Sequence, residues 1–222
     1  KMFYSLRNIE FVENENPEEK LIFMLKNKEA CGVVRGSLSA SKILKVIKRE
    51  YKISKIIRVG PIDVSKNRTV ILGPLGVDEG VSFLDKLDVL KNMVYISRKL
   101  DITPRIAVMS FGRKEDVGRN SVVDKSLEEA EFLENYSKEH EIVKNIYNIG
   151  ILLENIDSIK ANCILAPTGY VGNIMYRCLV HLGCGRSYGG YVCGIPDVFV
   201  DTSRDGSEEE YLTSIAMAKA SL

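Results

Sequence analysis

"ANCILAPTGYVGNIMYRCLVHLG", residues 161–183, is the stretch on which the fold class turns. Ala161–Pro167 is a short apolar run of strand length, stopped by a proline. A glycine-bearing turn, "TGYVGN", follows, and residues 173–183 then read as a helix. A buried strand that empties through a turn into a helix is half of a β–α–β unit. Gly169 and Gly172 allow close backbone approach, and Asn173 stands at the expected N-cap. Such a turn can present N–H groups to a phosphate or a carbonyl oxygen, although an ordinary glycine turn uses the same residues. It matches neither GxGxxG nor a Walker loop.

The same alternation runs outward in both directions. Residues 17–29 and 39–51 read as helices around a short strand at 31–34. "KIIRV" (55–59) and "TVILG" (69–73) read as strands about the polar turn 65–68. A long amphipathic helix covers 81–100, a strand 105–110, and a further helix 126–138. Beyond the quoted stretch, "YGGYVCG" and "DVFVD" are strands, and 208–220 is the last helix. The expected fold is α/β with a mostly parallel sheet and crossover helices. Ligands in such folds gather at the carboxyl ends of strands.

Composition narrows the function classes. The 222 residues carry 31 Lys+Arg against 30 Asp+Glu, so a net charge of +1 provides no field for nucleic acid. No segment approaches the roughly 20 apolar residues that span a bilayer. The opening Lys1-Met2 does not look like a secretory leader. Five unevenly spaced cysteines do not form a disulfide framework, so a soluble cytoplasmic protein with reduced thiols is expected.

Three more strand ends could hold an anion. Arg35 closes the strand at 31–34, with Ser37, Ser39 and Ser41 around the next helix start and Lys45 one turn inside it. Ser110 closes "RIAVMS", ahead of a loop holding Gly112, Arg113, Lys114, Gly118 and Arg119. In "FVDTSRDGSEEE" (199–210), Ser203 and Arg204 stand between a strand and an acidic first helical turn. Capping explains the serines and glutamates there, and an anion contact explains the arginine. Cys178, His181 and Cys184 fall at i, i+3 and i+6, too spread around a helix for one tetrahedral ion, so a buried thiol-rich face and no metal are expected. No Ser-His-Asp arrangement is present.

Taken in order, "GVVRGSLSASKILK", "TPRIAVMSFGRKEDVG", the quoted stretch and "VDTSRDGSEEE" resemble the phosphate acetyl/butyryltransferase family. Its members carry a "PKVAxLSF"-type strand, an "ANxxxxPxxxxGN" turn and a terminal "SRG" before a helix. Among its branches the chain is most similar to the methanogen MtxX branch, methanogenesis marker protein four, which carries a methyltransferase label. The resemblance implies a two-lobed α/β/α fold like that of isocitrate and isopropylmalate dehydrogenases, usually dimeric. It places 1–55 plus 196–222 in a shortened first lobe and 56–195 in the second. It assigns phosphate or acyl-phosphate contact to Ser203 and Arg204, and deprotonation of coenzyme A to Glu210. Asn173 takes the family's Gly-Asn position, Lys45 that of an arginine, and Ser110 that of the "LSF" serine.

Together with Arg35, Ser39 and Arg113, these residues form the expected interlobe site. No tightly bound cofactor is implied, with coenzyme A or phosphate as substrate. Departures from the family are Asp205 in place of the "SRG" glycine, Lys45 in place of arginine, a shortened first lobe, and a 141–160 segment lacking "DGELQ". Weak or altered acyl transfer is therefore expected. The rivals are a methyl-transfer protein of methanogenesis and a non-catalytic partner of a methanogenic enzyme complex. Neither an S-adenosylmethionine glycine motif nor Asp-x-His-x-x-Gly is present.

Overall fold

Along β8 (Val198–Asp201), Val198 and Val200 join one core while Phe199 joins another, the period-two alternation of a strand covered on both faces. Strands β3 (Arg68–Gly73), β4 (Ile106–Met109) and β6 (Cys163–Leu165) alternate in the same way. Such strands require helices on both sides. In the computed structural model, which describes residues 12–65, 68–204 and 206–222, helices cover both faces.

One face is covered by α3 (Phe83–Lys99), α4 (Ser121–Glu139) and α6 (Glu208–Ala220), which supply Leu90, Met93, Leu133 and Met217 to a shared core. The opposite face has two separate covers. Helices α1 (Pro17–Lys26) and α2 (Ala40–Tyr51) pack on β1 (Gly32–Val34), β7 (Gly190–Cys193) and β8. Helix α5 (Gly169–Arg177) packs on β2 (Ile57–Ser65), β3, β4 and β6. Each fully buried Ile, Leu or Phe in these layers is worth about 1.5–3 kcal/mol.

The described strands form one sheet in the order β1-β8-β7-β2-β3-β6-β4-β5, where β5 is Ile146–Gly150. Parallel pairs join β1 to β8 and link β3, β6, β4 and β5. The three antiparallel pairs lie together at β8–β7–β2–β3. Strand β2 changes partner along its length, with Ile57–Val59 against β7 and Gly60 onward against β3. In consequence β1 and β8 run opposite to β3, β6, β4 and β5.

Several local expectations need correction. Strand β5 was not expected, because as the edge strand it buries only Ile146 and Ile149 and so lacks a full apolar pattern. Helix α4 begins at Ser121, five residues ahead of 126, since Asn120 caps it by accepting the Val122 N–H at 2.8 Å. Helix α5 begins at Gly169, capped by Thr168, so Asn173 lies inside the helix and is not its N-cap. Residues Cys178–Leu182 form a π-helical turn, which voids α-helical spacing for Cys178, His181 and Cys184. Cys178 and Cys184 are exposed and form no buried thiol face. Part of the polar turn after β2, Lys66 and Asn67, lies outside the described residues, as does Asp205. No helix among the described residues is long and apolar enough to cross a membrane.

Candidate functional site

Between α2 and α5 the helix cover is interrupted, and a cleft of about 390 Å³ opens there. Strand parity sets its floor. Val33, Val192 and Phe199 face the α1–α2 layer, and Arg35, Gly190 and Asp201 each lie two residues along the same strand paths. Arg58 pairs opposite Val192, so it faces the same way. Helix α5 lines the cleft with Asn173, Tyr176 and Arg177, spaced i, i+3 and i+4 on one helix face. The segment after β8 adds Thr202, Ser203 and Arg204, and the π turn adds His181.

A chain of charges crosses the floor. Glu79 accepts from the Arg58 backbone N–H at 2.9 Å and from Arg58 Nε at 2.8 Å. Arg58 Nη1 donates to Asp201 Oδ2 at 2.9 Å, and Arg35 Nε donates to the other Asp201 oxygen. Arg35 also donates to the Leu38 carbonyl. Glu79 is 4% exposed and Arg35 6%, so these ions have exchanged water for one another. Burial works against the Arg58 charge, but the Glu79 and Asp201 carboxylates outweigh it and raise the pKa. Arg177 and Arg204 differ. Both are exposed, and neither forms an ion pair among the described residues. Arg177 Nε donates to Asn173 Oδ1 at 3.2 Å, while the Asn173 amide holds the Leu75 carbonyl at 2.9 Å.

Glu210 stands behind Ser203. Its Oε1 accepts the Ser203 N–H at 3.1 Å and lies 3.0 Å from the Tyr176 hydroxyl. Burial and the Glu210 carboxylate raise the Tyr176 pKa, keeping that hydroxyl a donor. Ser207 caps α6 by accepting the Glu210 N–H at 3.2 Å. The acidic first turn therefore serves capping and also ties down the Ser203 backbone.

Of the residues expected at the site, Arg35, Asn173, Ser203 and Arg204 line the cleft, with Glu210 directly behind. Ser39 occupies the N-cap position of α2 without a side-chain capping bond, its Oγ 3.2 Å from Ser41 Oγ, and does not line the cleft. Lys45 is exposed on α2 and lies outside the lining. Ser110 and Arg113 follow β4 and are not brought to the cleft. Gly169 and Gly172 serve packing: an added Cβ would come within 1.7 Å of the Gly76 carbonyl oxygen and 1.9 Å of the Pro74 carbonyl oxygen respectively. Sequence reasoning missed Arg58, Glu79, Asp201, Tyr176 and Arg177. The available signal was Arg58, a cation inside the apolar run "KIIRVGPI". Among the described residues no cluster of His, Cys, Asp and Glu could hold a metal ion.

No protein-family model matches the chain. It is 33% identical over 213 residues to "Putative methyltransferase mtx subunit X" of Methanosarcina mazei, covering 96% of this chain and 74% of that protein. The protein of the same name in Methanosarcina barkeri is 34% identical, covering 96% and 76%. Among solved structures, a branched-chain phosphotransacylase from Enterococcus faecalis superposes with a TM-score of 0.76 at 15% identity, covering 99% of this chain and 91% of that one. A phosphotransacetylase from Streptococcus pyogenes gives 0.72 at 17% identity, covering 92% and 66%. These structural likenesses speak for the fold, whereas the sequence matches run along nearly the whole chain. The chain thus belongs to the methanogen mtx subunit X family and has the phosphotransacetylase-like α/β fold.

Proposed function

We propose that this protein is a group transferase that binds a small anionic ligand, phosphate or an acyl or coenzyme A-type substrate, in the cleft between α2 and α5. The observation that carries this reading is the convergence of Arg35, Arg58, Arg177 and Arg204, from four separate segments, around a single lining carboxylate. Arg177 and Arg204 would hold the anion, with Ser203 and Asn173 beside it. Arg35 and Arg58, paired with Asp201 and Glu79, would present a fixed, charge-balanced floor of oriented donors. Acceleration would come from positioning and from charge stabilisation as a coenzyme A thiolate attacks the carbonyl of an acyl phosphate. The thioester would form while the C–O bond to phosphate breaks and phosphate leaves.

Activity should be weak or altered relative to phosphotransacylases. Asp201 and Glu79 together balance the charges of Arg35 and Arg58, and Glu210 already holds the Ser203 N–H and the Tyr176 hydroxyl. In this reading the lobes 1–55 plus 196–222 and 56–195 meet between β8 and β7, and the protein forms a homodimer; partnership with a methanogenesis enzyme belongs to the rival, non-catalytic reading. The name of the relatives supports a second reading, methyl transfer in methanogenesis, at the same cleft.

Phosphate protection in thermal melts and coenzyme A release from acyl-coenzyme A with phosphate test the proposal. Wild type should be protected and should turn over well below the ~10 per second typical of enzymes. Arg204→Ala should lose about tenfold in phosphate affinity, roughly 1.4 kcal/mol, with its apo melting temperature kept. Arg113→Ala should bind as wild type does. Equal loss in both variants would remove the cleft as the anion site, and methyl transfer without acyl transfer would favour the second reading.

A further inference from the structure

We propose that His181 is the proton-carrying contact of the cleft, binding the anion in its charged form and thereby setting affinity near neutral pH. The inference rests on the anion-binding reading above and adds a residue that sequence reasoning considered only as a metal ligand.

Position comes first. His181 lines the main cleft and also a neighbouring polar recess of about 270 Å³, bounded by Cys184, Arg186, Ser187, Ser207 and Glu210. It therefore stands where the two cavities join. His181 lies four residues beyond Arg177 and eight beyond Asn173, on the same helix side, within the π turn Cys178–Leu182 that follows α5. π turns are frequent at functional sites.

Commitment of the other groups comes second. Among the described residues, the other charged side chains lining the cleft are fixed in one protonation state or already engaged. Arginines 35, 58, 177 and 204 keep their protons at any working pH. Asp201 bridges Arg35 and Arg58. Tyr176, its pKa raised by burial, and the Ser203 N–H are both bound to Glu210. Glu209 pairs with Arg186 at 2.8 Å. Cys184 faces only the recess. The His181 ring is exposed and makes no hydrogen bond among the described residues. Imidazole is also the side chain whose ordinary charge change falls between pH 5 and 8. A dianion held by Arg177 and Arg204 would favour the charged imidazole beside it, so binding should draw in a proton.

Sulfate is the appropriate probe, because it stays dianionic across this range whereas phosphate titrates within it. Calorimetric titration of sulfate at pH 6, 7 and 8, in buffers of different ionisation enthalpy, reads affinity and proton uptake together. Wild type should lose roughly tenfold in sulfate affinity from pH 6 to pH 8 and take up a fraction of a proton at pH 7. His181→Gln should bind at every pH with the wild-type affinity of pH 8, without proton uptake. His140→Gln, which removes the other of the chain's two histidines, should behave as wild type. Binding without uptake in wild type, or uptake that persists in His181→Gln, would overturn the role of His181 while leaving the anion site standing. No sulfate binding at any pH would overturn both.

Discussion

Two loops that read alike in the sequence have different fates in the fold. After β4 come Ser110, Gly112, Arg113, Lys114 and Arg119; after β8 come Thr202, Ser203 and Arg204. In the first loop Ser110, Asp116 and Arg119 are engaged within the loop, while Arg113 and Lys114 form no ion pair among the described residues and lie away from the cleft. Ser110 Oγ donates to the Gly112 carbonyl at 3.0 Å, Asp116 accepts the Arg113 N–H at 2.8 Å, and Arg119 pairs with Asp116. In the second, Arg204 projects beside a cleft with its charge unmatched among the described residues. The difference lies in strand order. β4 sits between two parallel neighbours, β6 and β5, whereas β8 lies one strand from β2, where the direction of the sheet changes. Clefts open at such switch points, and the loop after β4 lies away from this one. Residue type nominates an anion site, and place in the sheet decides it.

The largest test of this contrast concerns carboxylates. Glu79→Ala removes one partner from the buried chain beneath the cleft and leaves Arg58 partly uncompensated. It should cost about 3–5 kcal/mol in urea unfolding. Asp116→Ala, in the loop after β4, should cost far less, because exposed pairs contribute little. Comparable losses at the two positions would show that the buried chain is not what distinguishes the cleft.

Glycines sharpen the comparison next. An alanine at Gly172 would place its Cβ 1.9 Å from the Pro74 carbonyl oxygen, so α5 must shift and stability should fall by about 1–3 kcal/mol. Gly118, in the loop after β4, has φ +88° and nothing within 4 Å of an added Cβ. Gly118→Ala should cost only about 1 kcal/mol, the backbone penalty alone. Because α5 carries Asn173 and Arg177, Gly172→Ala should also weaken phosphate binding, and Gly118→Ala should not. Matched effects on binding would break the contrast.

The smallest effect is one of pH. The Arg113 N–H and then Arg119 lower the Asp116 pKa below the usual carboxylate range. A depressed folded-state pKa contributes stability that is present above the unfolded value near 4 and is lost as pH falls through the folded one. The stability gap between wild type and Asp116→Asn should therefore be fully open at pH 6 and should close below about pH 4. Melting curves between pH 6 and pH 2.5 would show it, and a gap that widens on acidification would contradict the pairing of Asp116.

The fold was more legible than the site. Apolar runs at 69–73, 105–110 and 161–167, with helices between them, were enough for α/β, because burial on both faces leaves its mark within a few residues. The edge strand β5 escaped because Tyr147 and Asn148 interrupt its burial. At the site, Ser203 and Arg204 could be found from their place at a strand end before an acidic turn. Lys45 could not be excluded, since helix pattern alone does not say which way α2 turns its exposed side. Asn173 came to the cleft for a different reason from the one expected, as part of a helix face rather than as a cap.

By itself the sequence determined the periodicities: which apolar segments are strands buried on both sides, where most of the helices run, and where glycines allow close backbone approach. These are properties of neighbours, written in the spacing of apolar and glycine residues. Only the tertiary structure decided that β7 and β2 run against their neighbours, that β2 changes partner at Gly60, and that the helix cover parts above that point. It alone brought Arg58 to Asp201, 143 residues away, and set His181 beside the cleft. Strand order and ion partnership join residues with no local pattern in common, so the burial of the whole sheet, and the pairing that buried charge then requires, had to select them.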